Sequence, residues 1–319
     1  MVHMDLREKA AAKVNLSLLV GPMRPDGYHE LLSVFVPIDL YDDLALSLTP
    51  GPAAEIPGEL EVVCPGVAGE NLVTRALRAV EAAGGVSIRG KVHVCKGIPI
   101  GAGLGGGSAD AAAAVRAAAT ALEEERHMRL GADTVRRLAR SLGADVPFFL
   151  EGRPAIGRGI GDLLEPLVLP ALHLVLVLWD GPLSTAAAYA EFDREGPLEA
   201  EDEFSIRAAG LEGEWRRLAE AWESGGMSTR ECATAASQLL RNDLEAASFR
   251  LIPELAEAKR AITEAGASGA LMSGSGPTLF GVCASSEEAE SVRGRLDERG
   301  YRATVVTVRA GPGGLPRPS

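Results

Sequence analysis

A glycine-rich segment just before a helix-forming run constrains this chain more than any other feature. Five of the seven residues from 101 to 107 are glycine, namely Gly101, Gly103, Gly105, Gly106 and Gly107. The alanine-rich run from Ser108 to about Leu122 favours a helix, and Ser108 suits its cap. Glycine permits positive φ and close backbone approach, so successive N–H groups can converge on an anion at the positive end of the helix. The segment therefore predicts a phosphate-binding loop.

Three interpretations of this loop compete. The first is a flexible linker or a tight strand-to-helix turn. The second is a dinucleotide site, because Gly101, Gly103 and Gly106 satisfy G-x-G-x-x-G. That pattern alone is weak evidence, and its acidic ribose ligand belongs at the end of the next strand, whereas the glutamates at 123–125 end the predicted helix. The third is a nucleoside-triphosphate loop unlike Walker A, since no G-K-[ST] follows the glycines, and it needs a lysine and an acid from elsewhere.

The other hydrophobic patterns indicate mixed α and β structure. Polar and apolar residues alternate over 13–18, which predicts a strand that carries Lys13 and Asn15 on one side. Turn residues at 21–27 then lead to an apolar run at 31–40, so a hairpin is expected. Further strands are predicted around 92–94 and over 174–179, 278–283 and 304–308, and further helices over 70–83, 132–142, 253–265 and 286–299, the last preceded by a capping-box pair, Ser285 and Glu288.

Length and local composition indicate how the chain is divided. Two domains are expected of 319 residues, with a boundary or a long functional loop in the Gly- and Pro-rich stretch 151–170. Residues 194–228 are acidic and sparse in apolar periodicity, which predicts surface helices or a mobile insertion. The Gly- and Pro-rich tail 311–319 is expected to be disordered.

Charge and cysteine content exclude several classes of function. The net charge of −12 and the lack of basic clusters argue against nucleic acid as a partner, while a local pocket of N–H groups can still bind a small anion. No apolar signal core and no run of about 18 apolar residues is found, so we expect a cytoplasmic protein without membrane contact. The cysteines lack metal-ligand spacing and are interpreted as buried reduced thiols: Cys64, Cys95, Cys232 and Cys283.

Several segments together resemble one enzyme superfamily. The stretch from Pro99 to Ala112 resembles the central phosphate loop of the GHMP kinases, which include galactokinase, homoserine kinase and mevalonate kinase. Other segments resemble the branch that phosphorylates a cytidine diphosphate-linked methylerythritol in the non-mevalonate isoprenoid pathway: A-K-V-N-L at 12–16, R-P-D-G-Y-H-E-L at 24–31, L-G-A-D-V-P-F-F at 142–149, S-T at 184–185, N-D-L-E at 242–245 and M-S-G-S-G-P-T at 272–278. The resemblance covers residues 10–308. It departs at Ala109, where a serine is frequent, which leaves the backbone cradle intact.

The resemblance implies a fold and an activity. The fold class is α+β, with a ribosomal-protein-like N-terminal domain over 1–160 and a ferredoxin-like C-terminal domain over 161–310. The activity is transfer of the γ-phosphoryl group of ATP to an alcohol of a small molecule, with Mg²⁺ bridging the nucleotide phosphates.

Two residues are implied as catalytic. Asp145 takes the place of the base that accepts the hydroxyl proton, and Lys13 lies beside it near the transferred phosphate. A nearby cation would keep Asp145 ionised. Spacing alone favours a turn aspartate bonded to local backbone for Asp145 and a solvated strand lysine for Lys13.

The remaining implied site residues fall into three groups. ATP would be held by Lys96, Pro99, Gly101, Ala102, Gly103, Leu104, Gly105, Gly106, Gly107 and Ser108, the last on phosphate or Mg²⁺. The cytidyl substrate would be held by Asn15, Tyr28, His29, Thr185 and Tyr189, the tyrosine at 189 stacking on cytosine. Ser273, Gly274, Ser275 and Gly276 would close over the site and support the phosphate loop. Taken singly, each also fits a structural role, such as a hairpin aromatic, a solvated lysine, a helix cap or an ordinary turn.

Other functions remain open from the residues. Another GHMP kinase, acting on homoserine or mevalonate, leaves Tyr28 and His29 without an explanation. An NAD(P)-dependent oxidoreductase would use the G-x-G-x-x-G match, and a nucleotide-sensing module would bind ATP without catalysis.

Overall fold

A computed structural model describes most of the chain, namely residues 4–53, 58–67, 71–181, 183–194 and 200–309. The tail 311–319, which the composition predicts to be disordered, lies outside the described residues.

These residues form eleven strands and ten helices. In chain order the strands are β1 (Met4–Met23), β2 (His29–Pro52), β3 (Leu60–Val63), β4 (Val86–Cys95), β5 (Ala155–Arg158), β6 (Leu163–Pro166), β7 (His173–Val177), β8 (Arg241–Asn242), β9 (Gly269–Met272), β10 (Leu279–Cys283) and β11 (Ala303–Thr307). The helices are α1 (Leu72–Gly84), α2 (Gly106–Arg126), α3 (Ala132–Leu142), α4 (Val146–Glu151), α5 (Thr185–Asp193), α6 (Glu201–Glu223), α7 (Thr229–Gln238), α8 (Glu245–Leu251), α9 (Glu254–Glu264) and α10 (Ser286–Glu298). The predicted helices and strands are confirmed, although β1, β2 and β4 extend well beyond the predicted segments.

The first sheet is organised around the long antiparallel pair β1 and β2, which confirms the predicted hairpin. Its order is β3-β4-β2-β1-β8, and β5 and β6 add to it through β2. The register between β1 and β2 shifts on both sides of the segment that holds Lys13 and Asn15. Such bulges re-aim side chains, and here they bracket Lys13 and Asn15, two polar residues in the buried part of β1.

Helices α1 to α4 cover one face of this sheet. Their apolar residues form one buried cluster with the inward-facing residues of β2 and β4, such as Leu46 and Val92. The small alanines of α2 let this helix lie close to the sheet, because a helix rich in alanine offers little side-chain bulk. The N-terminus of α2 is thereby fixed against the sheet.

The second sheet has the antiparallel order β11-β7-β10-β9. Helices α9 and α10 pack on one of its faces through residues such as Ile262 and Val292. The chain order β7, α9, β9, β10, α10, β11 in this sheet is the ferredoxin-like arrangement, which confirms the implied fold class.

In two stretches the structure decides between the alternatives that the sequence leaves open. Within 151–170 the chain forms β5 and β6, which pair with each other and extend the first sheet, so the stretch is not one long loop. The division near residue 160 stays a prediction. Within 194–228 the described part is chiefly α6, which packs on β1 and buries Trp215 completely. Its apolar residues are too widely spaced for the periodicity to be evident.

The cysteines also differ in part from expectation. Cys232 and Cys283 are buried, and burial raises the pKa of Cys232 to about 11. Cys95 is exposed and Cys64 half-buried, so the interpretation as buried thiols is wrong for these two. Among the described residues, no helix is long and apolar enough to cross a membrane.

Candidate active site

A cavity of about 1050 Å³ gathers the residues that the sequence singles out. It is bounded by β1, the glycine loop, the start of α4, α5 and the turn after β9. Every predicted site residue lines it except Ser273, which lies directly behind. Segments separated by more than 100 residues in sequence therefore share one concave surface, as ligand sites require.

The glycine loop presents backbone N–H groups at the start of α2. The helix begins at Gly106, two residues earlier than predicted, and its cap is Gly105 with φ 74°, so Ser108 is not the cap. Because Gly105 has no side chain, the first N–H groups of α2 receive no side-chain cap and can serve an anion. A Cβ at Gly105 would lie 2.6 Å from Cζ of Phe149, so space as well as φ demands glycine there.

Two elements hold the loop in place from either side. The backbone N–H of Lys13 on β1 donates to the carbonyl of Leu104 at 3.0 Å. From the turn after β9, the hydroxyl of Ser273 donates to the carbonyl of Gly103 at 3.2 Å. A Cβ at Gly103 would lie 2.6 Å from the carbonyl oxygen of Gly276, so the two glycine-bearing segments are in direct contact. The predicted supporting role of the turn stays a prediction, and this contact is its structural basis.

Lys13 and Asp145 lie next to each other at the cavity wall. Nζ of Lys13 is 3.9 Å from Oδ2 of Asp145, and the lysine side chain is 6% exposed. Lys13 is thus not a solvated strand lysine. Burial lowers the pKa of its ammonium, and the charge of Asp145 opposes part of that shift.

The local environment of Asp145 also differs from that of a turn aspartate. The residue stands at the cap position of α4, yet its side chain makes no capping hydrogen bond to the helix. The carboxylate is one-third exposed and belongs to the cavity wall. An acceptor that leaves the nearby N–H groups unused is available for a ligand.

The opposite end of the cavity is aromatic. The ring of His29 is stacked on that of Tyr189, with centroids 5.3 Å apart and planes at 29°. Nδ1 of His29 donates to the carbonyl of Gly21 at 2.9 Å, and Nε2 lies 3.3 Å from Oδ1 of Asp193. The imidazole is nearly buried, whereas Tyr28 is 58% exposed, so Tyr28 is the more accessible of the two predicted neighbours.

Tyr189 is held in its neutral form. Burial raises the pKa of its phenol, and the charges of Asp145 and Asp193 act in the same direction. A neutral ring on the cavity wall suits stacking rather than proton transfer.

Lys96 is not a solvated lysine, and its assignment to ATP phosphate stays a prediction. Its ammonium donates to the carboxylates of Asp42 and Asp110, so it is paired with two acids rather than exposed to solvent. Burial opposes its charge, but the hydrogen bonds to Asp110 and Asp42 outweigh this and raise the pKa of Lys96. Burial, with help from Asp42, raises the pKa of Asp110 to about 7 although Lys96 acts against it. Lys96 joins the end of β4 to α2 below the phosphate loop.

The turn after β9 is also tied to the helices behind it. The hydroxyls of Thr185 and Ser275 are 2.9 Å apart. The Nδ2 group of Asn242 donates to the carbonyls of Met272 and Gly274, each at 2.8 Å. Thr185 therefore meets the turn directly, which links the predicted substrate-binding and supporting residues.

Sequence reasoning missed several residues of this site. Asp42, Asp110, Asp193 and Ser33 carry polar contacts within or just behind it. An apolar end of the cavity beside the loop was also missed, and it is lined by Cys64, Val67, Leu72, Val73 and Ile100. No local pattern signals these residues, because their neighbours in space are distant in sequence.

Comparison with known proteins gives concordant results. The model of the GHMP kinases N terminal domain matches residues 71–153, and that of the GHMP kinases C terminal matches residues 228–302. A 4-diphosphocytidyl-2-C-methyl-D-erythritol kinase of Pelotomaculum thermopropionicum is 40% identical over 297 residues, which cover 92% of this chain and 93% of the relative. A protein of the same name from Thermobifida fusca is 40% identical over 313 residues, with 94% of each chain covered.

Solved structures agree with these relatives. A crystal structure of 4-(cytidine 5'-diphospho)-2C-methyl-D-erythritol kinase is 34% identical, has a TM-score of 0.69 and covers 96% of this chain and 100% of that one. A homoserine kinase of Cytophaga hutchinsonii has a TM-score of 0.68 at 19% identity, covering 97% of this chain and 96% of that one, and so shares the fold.

Proposed function

The chain belongs to the 4-diphosphocytidyl-2-C-methyl-D-erythritol kinase family of the GHMP kinases, and we propose that it phosphorylates the 2-hydroxyl of that cytidyl substrate with ATP. The reaction yields ADP and the 2-phosphate, a step of the non-mevalonate isoprenoid pathway, and a cytoplasmic location is part of the same proposal. The observation that carries it is one cavity that holds a phosphate loop, a Lys13–Asp145 pair and an aromatic end.

ATP binds with its phosphates on the glycine loop. The uncapped N–H groups at the start of α2 and the positive end of its dipole attract the anionic phosphates. The adjoining apolar end of the cavity, which includes Leu72 and Ile100, offers a surface for the adenine ring. The nucleotide thus spans from this apolar end to the loop.

Mg²⁺ is held chiefly by the phosphates of the nucleotide. Among the described residues, no group of three or more His, Cys, Asp or Glu side chains is arranged to hold a metal ion by itself. The half-buried hydroxyl of Ser108 on the cavity wall fits an ion that needs few protein ligands. When bound, the ion would neutralise charge on the phosphates.

Asp145 and Lys13 act on the acceptor hydroxyl. The carboxylate of Asp145 accepts the hydroxyl proton as the oxygen attacks the γ-phosphorus, and the bond to the leaving ADP oxygen breaks. The ammonium of Lys13, 3.9 Å away, stabilises negative charge on the transferred group.

The cytidyl group occupies the aromatic end. Tyr189 stacks on the base, backed by the imidazole of His29, and Tyr28 closes the exposed side. Asn15 and Thr185 line the path between this end and the reacting hydroxyl. Such an arrangement gives the cytidyl moiety contacts that mevalonate or homoserine would not use.

An assay of substrate choice tests this function. Purified protein with MgATP should release ADP in the presence of 4-diphosphocytidyl-2-C-methyl-D-erythritol, and phosphorus NMR of the product should show a phosphomonoester on the 2-oxygen. Mevalonate and homoserine are the control substrates. Turnover of mevalonate or homoserine without turnover of the cytidyl compound would refute the proposal.

A further inference from the structure

Ser33 is a buried residue of β2 whose hydroxyl has a defined hydrogen-bonding role. The side chain is 0% exposed. Its proton is donated to the carbonyl of Ser17 at 2.9 Å. A hydroxyl carries one proton, so towards any further neighbour its oxygen is an acceptor. That neighbour is Nδ2 of Asn15, which donates to it at 2.8 Å.

This contact selects the orientation of the Asn15 amide. With Nδ2 turned to Ser33, Oδ1 lies 2.7 Å from Nζ of Lys13 and accepts from the ammonium. A flipped amide would place an NH₂ group against an ammonium and a carbonyl oxygen against the acceptor side of Ser33. Both contacts would be lost at a buried site, where an unmade hydrogen bond is costly.

The Asn15 amide lies in a closely packed site. A Cβ at Gly274 would lie 3.3 Å from Nζ of Lys13 and 3.4 Å from Oδ1 of Asn15, so the turn after β9 closes over this contact. Asn15 is itself 2% exposed. Water has little access to replace Ser33.

We propose that Ser33 is a positioning residue for phosphoryl transfer, whose hydroxyl orients the Asn15 amide so that its oxygen holds the Lys13 ammonium beside Asp145. The inference rests on the proposed function, in which Lys13 and Asp145 act on the acceptor hydroxyl. Ser33 is fully buried and is not among the residues that line the cavity, so it works through Asn15.

Replacement of the hydroxyl tests this role. Ser33→Ala should lower kcat about tenfold, with the KM for ATP changed less than about twofold, because the phosphate loop is untouched. Without an oriented acceptor the ammonium of Lys13 is less stable, so its pKa falls. The high-pH limb of the kcat profile should therefore move to lower pH. Ser33→Thr, which keeps the hydroxyl, should restore both properties.

Controls separate this role from a packing effect. Ser87→Ala removes a hydroxyl that is likewise buried but has no hydrogen-bond partner among the described residues, and it should leave kcat and the pH profile unchanged. In an Asn15→Ala background, Ser33→Ala should add little further loss, because Ser33 acts through that amide. If Ser33→Ala does not fold, Ser33→Cys takes its place, because a thiol accepts hydrogen bonds only weakly. The same fall in kcat and the same shift of the pH profile are then expected.

Two outcomes would overturn the inference. The first is that Ser33→Ala keeps the kcat and the pH profile of the wild type. The second is that Ser33→Thr loses as much kcat as Ser33→Ala. A second readout separates this failure from failure of the proposed function. NMR titration of the ¹⁵N-labelled Lys13 ammonium, in the ligand-free protein, should give a lower pKa in Ser33→Ala than in wild type. If the wild type does not turn over the cytidyl substrate, the proposed function fails, and this titration still decides the role of Ser33.

Discussion

At the scale of the residue, the chemistry of the cavity depends on the carboxylate of Asp145, which makes no capping hydrogen bond to its own helix. Its position at the start of α4 would normally draw the side chain onto the helix backbone, and no such hydrogen bond is made. The ammonium of Lys13, 3.9 Å away, balances the charge of the carboxylate without enclosing it. The carboxylate is therefore accessible from the cavity.

Asp145→Asn should abolish turnover and largely spare ATP binding. The amide keeps the shape of the side chain but cannot accept the hydroxyl proton, so kcat should fall about 10²- to 10⁴-fold. The dissociation constant for MgATP, measured by calorimetry, should change little because the phosphate loop is intact. Asp133→Asn, an exposed aspartate of α3, is the control and should keep full activity. Full turnover in Asp145→Asn would refute its assignment as the base.

At the scale of the element, α6 supports the strand that carries Lys13. Nε1 of Trp215 donates to the hydroxyl of Ser17 on β1 at 2.9 Å, and its ring is fully buried. The ring of Phe204 fills the space beside Gly21 at the end of the same strand. The acidic surface of α6 thus conceals an apolar face that packs on β1.

Trp215→Ala should destabilise the protein strongly. Loss of a fully buried indole leaves a cavity and removes the hydrogen bond that the Ser17 hydroxyl accepts, and the free energy of unfolding should fall by about 3–5 kcal/mol in urea denaturation. Trp222→Ala on the same helix removes a partly buried indole and should cost clearly less. Equal losses from both substitutions would contradict the supporting role of Trp215.

At the scale of the whole molecule, the cavity is completed by both halves of the chain. The glycine loop and Lys13 come from the N-terminal half, and the turn containing Gly274 comes from the C-terminal half. A ligand that fills the cavity touches both, so its binding free energy adds to the stability of the whole chain.

Nucleotide binding should therefore be visible in thermal unfolding. At a concentration 100 times its dissociation constant, MgATP should stabilise the protein by about 2.7 kcal/mol and raise the melting temperature. NAD⁺ and NADP⁺ should leave it unchanged, since the G-x-G-x-x-G match is part of a triphosphate loop. Equal protection by a nicotinamide cofactor would contradict this prediction. Protection by ATP in a protein that turns over none of the tested alcohols would favour a nucleotide sensor.

Local patterns predicted much of this architecture. The alternation at 13–18, the turn at 21–27 and the alanine run after Ser108 depend on neighbours in sequence, and the structure confirms the hairpin and the helix. The spacing in α6 concealed its apolar face, because a helix that buries a few large side chains has little periodicity. The capping box was half correct, since Ser285 caps α10 whereas Glu288 bonds to the N–H of Ala284.

By itself the sequence determined the phosphate loop, the hairpin and, through its segments together, the family. These depend on backbone conformation and on short-range spacing, which a linear pattern records. Tertiary structure alone decided that Lys13 is buried beside Asp145, that Lys96 is engaged by two carboxylates and that Ser33 orients Asn15. The reason is physical, because burial and hydrogen-bond partners are set by residues distant in the chain, and they change the charge and direction of a side chain without any local sign.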